Sequence, residues 1–159
     1  MIFQRKTINA IVLCCIVSAM LSGCAKGNQG SPTRLGASCA LDAIDGATKT
    51  PPTTYSVSLA PPDIRLRGWI ANANAGESPD EITLVIADSL GKIYSSKKGK
   101  PGSRPDVATF FKKPGMSNSG FQILMDNVTE PGTYTVTMQG KFKDDNLICS
   151  TIYTLTATN

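Results

Sequence analysis

The 159-residue chain contains no histidine, so the side chain that most often moves protons near neutral pH is missing. What remains for acid–base or nucleophilic work is serine beside lysine, and paired carboxylates. Ser95 and Ser96 precede Lys97 and Lys98, and Ser103 follows Lys100. That stretch is rich in Ser, Gly and Pro and offers no burial that would lower a lysine pKa. Asp144-Asp145 stands between Lys143 and Asn146, the composition of a solvated turn. These patterns predict no catalytic residue, and the chain reads as a non-enzyme. Cys14, Cys15, Cys24, Cys39 and Cys149 are the other reactive groups. With no histidine to join two thiols, no zinc site is expected, and no other metal or cofactor is.

The front of the chain decides what those thiols do. Arg5 and Lys6 precede an apolar run from Ile8 to Leu21, broken only by Asn9 and Ser18. The run has the length of a signal-peptide core and falls short of the roughly 20 residues that span a bilayer. It ends in Leu21-Ser22-Gly23-Cys24, which resembles the bacterial lipobox: small residues that fit a narrow protease site, then a thiol that takes a diacylglycerol thioether. The resemblance implies a lipoprotein signal peptide over 1–23 and acyl chains on Cys24. Each buried acyl CH₂ contributes about 0.8 kcal/mol, so two or three chains hold a protein on a membrane stably. Ala25 follows the cysteine where aspartate would favour inner-membrane retention in that family, which implies the outer membrane, facing the periplasm or the cell surface.

Export leaves Cys39 and Cys149 as a free pair in an oxidising compartment, where an even count reads as a disulfide. Without Arg5 and Lys6, 14 of the 16 basic residues face 12 acidic ones. A nearly neutral exported protein predicts no nucleic-acid partner. Residues 24–36 are small, polar and rich in turn formers, and read as a lipidated flexible tether. The domain is expected over 37–159.

Within it the apolar residues recur with period two. Tyr55, Val57 and Leu59 form one set, and Ile64, Leu66, Gly68 and Ile70 another. Ile82, Leu84 and Ile86 precede the turn Asp88-Ser89-Leu90-Gly91 and a short strand near Ile93 and Tyr94. Phe121, Ile123 and Met125 follow, then Tyr134, Val136 and Met138 after Pro131-Gly132. A last strand carries Leu147, Cys149, Tyr153 and Leu155. With a first strand around Cys39–Ile44, this predicts an all-β antiparallel sandwich of seven to eight strands. A short helical turn is expected near 105–111, where Pro105 and Asp106 suit a first turn. Cys39 and Cys149 would then staple the first strand to the last.

Gly68-Trp69-Ile70-Ala71, Arg104-Pro105-Asp106-Val107-Ala108, Asn118-Ser119-Gly120-Phe121 and Pro131-Gly132-Thr133-Tyr134 together resemble an immunoglobulin-like module. That module recurs in bacterial envelope proteins and beside enzymes that build surface polysaccharide. The resemblance covers about residues 62–138 and implies a fold and an envelope setting, with no catalytic residue.

Trp69 admits two placements. Strict alternation sets it on one face with Arg65 and Arg67, where an indole among guanidiniums suits a sugar ring or a protein partner. A β-bulge at Gly68 would return it to the core beside the disulfide. From Lys92 to Lys113, seven basic residues (Lys92, Lys97, Lys98, Lys100, Arg104, Lys112, Lys113) face one acid, Asp106. Such an excess attracts an anionic glycan, headgroups or an acidic protein, or simply keeps a loop soluble. Arg104 is a natural partner for Asp106. Tyr134 stands where a tyrosine corner is expected. The Asn127-Val128-Thr129 sequon carries little weight in a bacterial lipoprotein.

The expectation is a non-catalytic envelope accessory module, anchored by Cys24, that presents Trp69, Arg65, Arg67, Lys97, Lys98, Lys100 and Arg104 to an envelope glycan or protein. The alternative is a purely structural assembly or exclusion lipoprotein without a small ligand. Growth with radiolabelled palmitate should label the wild-type chain and leave Cys24→Ser unlabelled. An unlabelled wild type removes the anchor.

Overall fold

The computed structural model describes residues 33–159, and what was expected of the signal peptide, of Cys24 and of the first part of the tether lies outside them. Ten strands run in chain order: β1 (Thr33–Ile44), β2 (Thr48–Thr50), β3 (Thr54–Ser58), β4 (Asp63–Ala71), β5 (Glu81–Ala87), β6 (Ile93–Gly99), β7 (Gly120–Asp126), β8 (Gly132–Lys141), β9 (Asn146–Cys149) and β10 (Tyr153–Thr158). Between β6 and β7 lie the helix α1 (Pro105–Phe111) and a single 3-10 turn (Pro114–Met116). The all-β fold that period-two patterning predicts is present, with the short helix where Pro105 places it.

The strands form the two layers of a sandwich. In the first, β8 pairs with β5 along one edge and with β9 and β10 along the other. Beyond these lie β6, next to β5, and β3 with β2, next to β10. In the second, β4 lies between β1 and β7. β1 belongs to both. Its first residues, Thr33–Ala37, run parallel to β9, and from Ser38 onward it pairs antiparallel with β4. The register slips between Leu35 and Ala37. Gly36 sits at that point with φ +145°, a backbone conformation that L side chains avoid. Two residues beyond the switch, Cys39 is bonded to Cys149 of β9, closing a separation of 110 residues.

Alternation decides which face is buried. Ile64, Leu66 and Ile70 of β4 and Ile123 and Met125 of β7 meet Ile82, Leu84 and Ile86 of β5 and Val136 and Met138 of β8 in one core. Gly68 is a core position without a side chain. An added Cβ would strike the Ala40 carbonyl oxygen and lie 2.8 Å from the Phe121 ring, so the glycine makes room for that ring. Tyr134 is buried and its hydroxyl donates to the Glu130 carbonyl at 2.7 Å, the tyrosine corner that the Pro-Gly turn predicts. Asn127 of the sequon is also buried. Its side-chain amide donates to the carbonyls of Ser58 (3.0 Å) and Pro61 (2.9 Å), fastening the turn into β4.

Three details differ from the sequence reading. Residues 33–36, read as the end of the tether, begin β1, because Thr33–Leu35 align with Asn146–Ile148 and Arg34 grips both Asp145 oxygens at 2.7 Å. The strands number ten rather than seven or eight. The expected last strand breaks at Ser150–Ile152, and β2 is a wholly exposed Thr-Lys-Thr with no apolar pattern to announce it. The sandwich is not purely antiparallel, since β1 with β9 and β3 with β10 run parallel. Alternation reports a strand's faces and is silent on its neighbour's direction. Replacing both Cys39 and Cys149 by serine should lower the unfolding free energy by about 4–5 kcal/mol, read as an earlier midpoint in urea.

Candidate functional site

The outer face of the second layer is where several of the singled-out residues meet. β4 keeps strict alternation through Gly68, with no slip against β7, so Arg65, Arg67 and Trp69 do share the outward face. Trp69 is neither in the main core nor open to solvent. The segment leaving β6 folds back over this face, and α1 covers the indole. Trp69 and Phe111 meet edge-on at 5.7 Å, beside a second small core of Ala71, Val107, Ala108 and Met116. The bulge considered at Gly68 is absent; β1 carries one instead, between Leu41 and Ala43.

Arg104 fixes the start of α1. Its guanidinium donates to both oxygens of Asp106 (2.8–3.2 Å) and to Asp42 of β1 (2.7 Å), and its stem lies across Gly120, where a Cβ would come within 2.5 Å of it. The hydrogen bonds from Arg104 hold the Asp106 carboxyl at about 2, below its ordinary 3.8. The guanidinium is itself pushed further toward its charged form, chiefly by Asp106.

Beside α1 the same face opens into a cleft of about 620 Å³. It is lined by Asp42 and Ala43 of β1, Arg67 and Gly68 of β4, Gly120, Phe121 and Gln122 of β7, and the segment carrying Lys100, Gly102, Ser103 and Arg104. Within the expected partner surface, the fold thus brings Arg67, Lys100 and Arg104 together. It places the others elsewhere. Arg65 lies outside the cleft, 3.7 Å from Asp45, which Arg67 also contacts at 2.5 Å. Lys97 pairs with Asp126 at 2.9 Å and Lys98 with Glu81 at 2.8 Å.

The basic run is therefore not the solvated loop that its composition suggests. Most of its first part is strand β6, and its charges are largely answered locally. Lys92 lies over the Tyr94 ring at 4.4 Å, and the Lys113 ammonium donates to the carbonyls of Ala73 (2.5 Å) and Asn74 (2.9 Å). Lys100 makes no ion pair among the described residues and lines the cleft. It is the cation best placed there to meet a ligand.

For acid–base work the arrangement offers little. Ser95 is buried with its hydroxyl 3.5 Å from Asp126, but that carboxylate already pairs with the half-exposed Lys97. An ammonium paired at the surface is no base for a serine. Among the described residues no cluster of three or more His, Cys, Asp or Glu is placed to hold a metal. No helix there is long and apolar enough to cross a membrane.

Set against models of known protein families and against curated proteins, the chain matches none.

Asp42, Gly102 and Gln122 line the cleft without having been singled out, and Ser103, noted only as a serine near a lysine, lines it as well. Asp42 meets Arg104 across 62 residues of chain, and no local pattern announces such a pairing. Asp106 should titrate by NMR with a midpoint near 2 and move back toward 3.8 in Arg104→Gln. Because the folded value is the depressed one, the stabilisation from this pair is present above the unfolded value and is lost as pH falls from about 3.8 through about 2.

Proposed function

We propose that the chain is a lipid-anchored, non-catalytic accessory module of the bacterial envelope, held by acyl chains on Cys24, whose cleft beside α1 binds a segment of envelope polysaccharide. The observation that carries this reading is the cleft itself. At about 620 Å³ it falls in the size range of ligand sites. Its lining joins the donors of Arg67, Lys100, Arg104 and Gln122 to the Ser103 hydroxyl. Hydroxyl-rich sugars with occasional acidic groups suit such a set: guanidinium, ammonium and amide hydrogens meet ring oxygens, hydroxyls and carboxylates. The lipobox resemblance and the Cys39–Cys149 bridge support an exported setting. The shared strand β1 and the Tyr134 corner support the immunoglobulin-like resemblance.

A second reading, assembly with another envelope protein, is favoured by strands that have a ladder on one side only. Among the described residues β2 pairs only with β3, β6 only with β5, and β7 along its length only with β4, although β6 and β7 lie against each other through Lys97 and Asp126; an open edge accepts a neighbour's strand. Lys97 and Lys98 on β6 weigh against it, since lysines on an edge discourage strand addition.

Retention of the detergent-solubilised full chain on immobilised envelope polysaccharide tests the first reading. Lys100→Glu and Gln122→Ala should each weaken retention by roughly tenfold, the equivalent of about 1.4 kcal/mol. Lys98→Glu, outside the cleft, should leave it unchanged. Equal retention in all three removes the cleft from the reading.

A further inference from the structure

We propose that Phe110 and Lys112, at the end of α1, contact the headgroup region of the membrane that holds the chain, an inference that rests on the Cys24 anchor of the proposed function. Phe110 is 79 % exposed. A lone exposed apolar residue is ordinary on a protein surface, so exposure by itself decides nothing. This ring, however, is held out on a support. It meets Phe111 edge-on at 5.0 Å, and Phe111 meets Trp69 edge-on at 5.7 Å. Trp69 and Phe111 are half-buried against Val107, Ala108 and Met116. Three rings thus lead from β4 to solvent, and little side-chain freedom is left for the last one to lose on contact.

The second observation is where this stack stands. Thr33 pairs with Asn146, Lys141 pairs with both Asn146 and Glu81, and so β1 starts at the end of the sandwich where β5 starts. The segment after α1 is fixed to the loop entering β5 at that end. Lys113 donates to Ala73 and Asn74, and the Ser78 backbone N–H and hydroxyl both donate to the Gly115 carbonyl, at 3.0 and 2.8 Å. Residues 25–32 separate Cys24 from Thr33, a span of at most about 30 Å even at full extension. A lipid on Cys24 would thus be attached to the domain through the end that carries α1. The hairpin at 88–91, beyond the far end of β5, is the distal tip.

Charge agrees. Lys112 is exposed and makes no ion pair among the described residues, while the nearby Asp106 is engaged by Arg104. Phe and Lys are residue types that interfacial segments present to an anionic bilayer surface, the ring toward the acyl boundary and the ammonium toward the headgroups.

Trp69 is the chain's sole tryptophan and reports on this contact. The full chain, purified from membranes, is reconstituted into vesicles of phosphatidylethanolamine and phosphatidylglycerol that carry a nitroxide-labelled lipid. Wild-type Trp69 emission should be quenched by the labelled lipid. Phe110→Ser and Lys112→Glu should each lose quenching, Leu90→Ser at the distal tip should not, and all should float with the vesicles alike. Lys112→Glu leaves the ring stack intact and so reads the contact without disturbing the reporter. Equal quenching in wild type, Phe110→Ser and Lys112→Glu would overturn the inference. So would loss of polysaccharide retention in Phe110→Ser with quenching unchanged, which would make the ring a sugar platform. A wild type that does not float overturns the anchor and this contact with it, whereas one that floats unquenched overturns the contact alone.

Discussion

The fold depends on one strand serving two layers. β1 bends at Gly36, leaves the first sheet after Ala37 and enters the second at Ser38, and the Cys39–Cys149 bond sits just past the crossing. A strand that changes partners must break its ladder and bend, and glycine permits the bend because φ +145° costs it no clash with a Cβ. The covalent bond then holds the bent strand to β9, so that each half meets its own partner in register. Without it, the two halves of the sandwich would be joined only by the ladders of β1 and by noncovalent packing, across a loop of more than a hundred residues.

That constraint organises the outer face of the second layer. With β1, β4 and β7 fixed as three strands, their outward side chains are a surface that the connection from β6 to β7 can cover. It covers only part. α1 closes over Trp69 and Ala71, and its first residue is tied down by Arg104 to Asp42 of β1. Where the connection stops, the cleft begins. The helix and the cleft are thus two consequences of one excursion of the chain, and Arg104 stands at their boundary. Ion pairs this exposed contribute little to stability one by one; their effect here is to set geometry, and to leave Lys100 as the cation turned to the open space.

How far the site could be read in advance differs residue by residue. The outward sharing of Arg65, Arg67 and Trp69 was legible, because alternation within one strand fixes faces. The tyrosine corner was legible for a similar local reason: Pro131-Gly132 fixes the turn, and the Tyr134 hydroxyl reaches a carbonyl only four residues away. The fate of the basic run was not. Lys97 and Lys98 met acids 29 and 17 residues distant, Asp126 and Glu81, and so left the surface that their sequence clustering suggested. The covering of Trp69 was hidden too, since it depends on where a connection between two other strands comes to lie.

Periodicity, turn chemistry and the cysteine count therefore settled by themselves that this domain is built of strands and which side of each strand is buried; those properties are fixed by a residue and its near neighbours. The tertiary structure alone decided that two pairings run parallel, that β1 divides itself between layers, which charges cancel, and that a cleft opens beside α1. Each of these depends on groups far apart in the chain arriving at one place, and that distance is set by the packed fold, where no local pattern of residues records it.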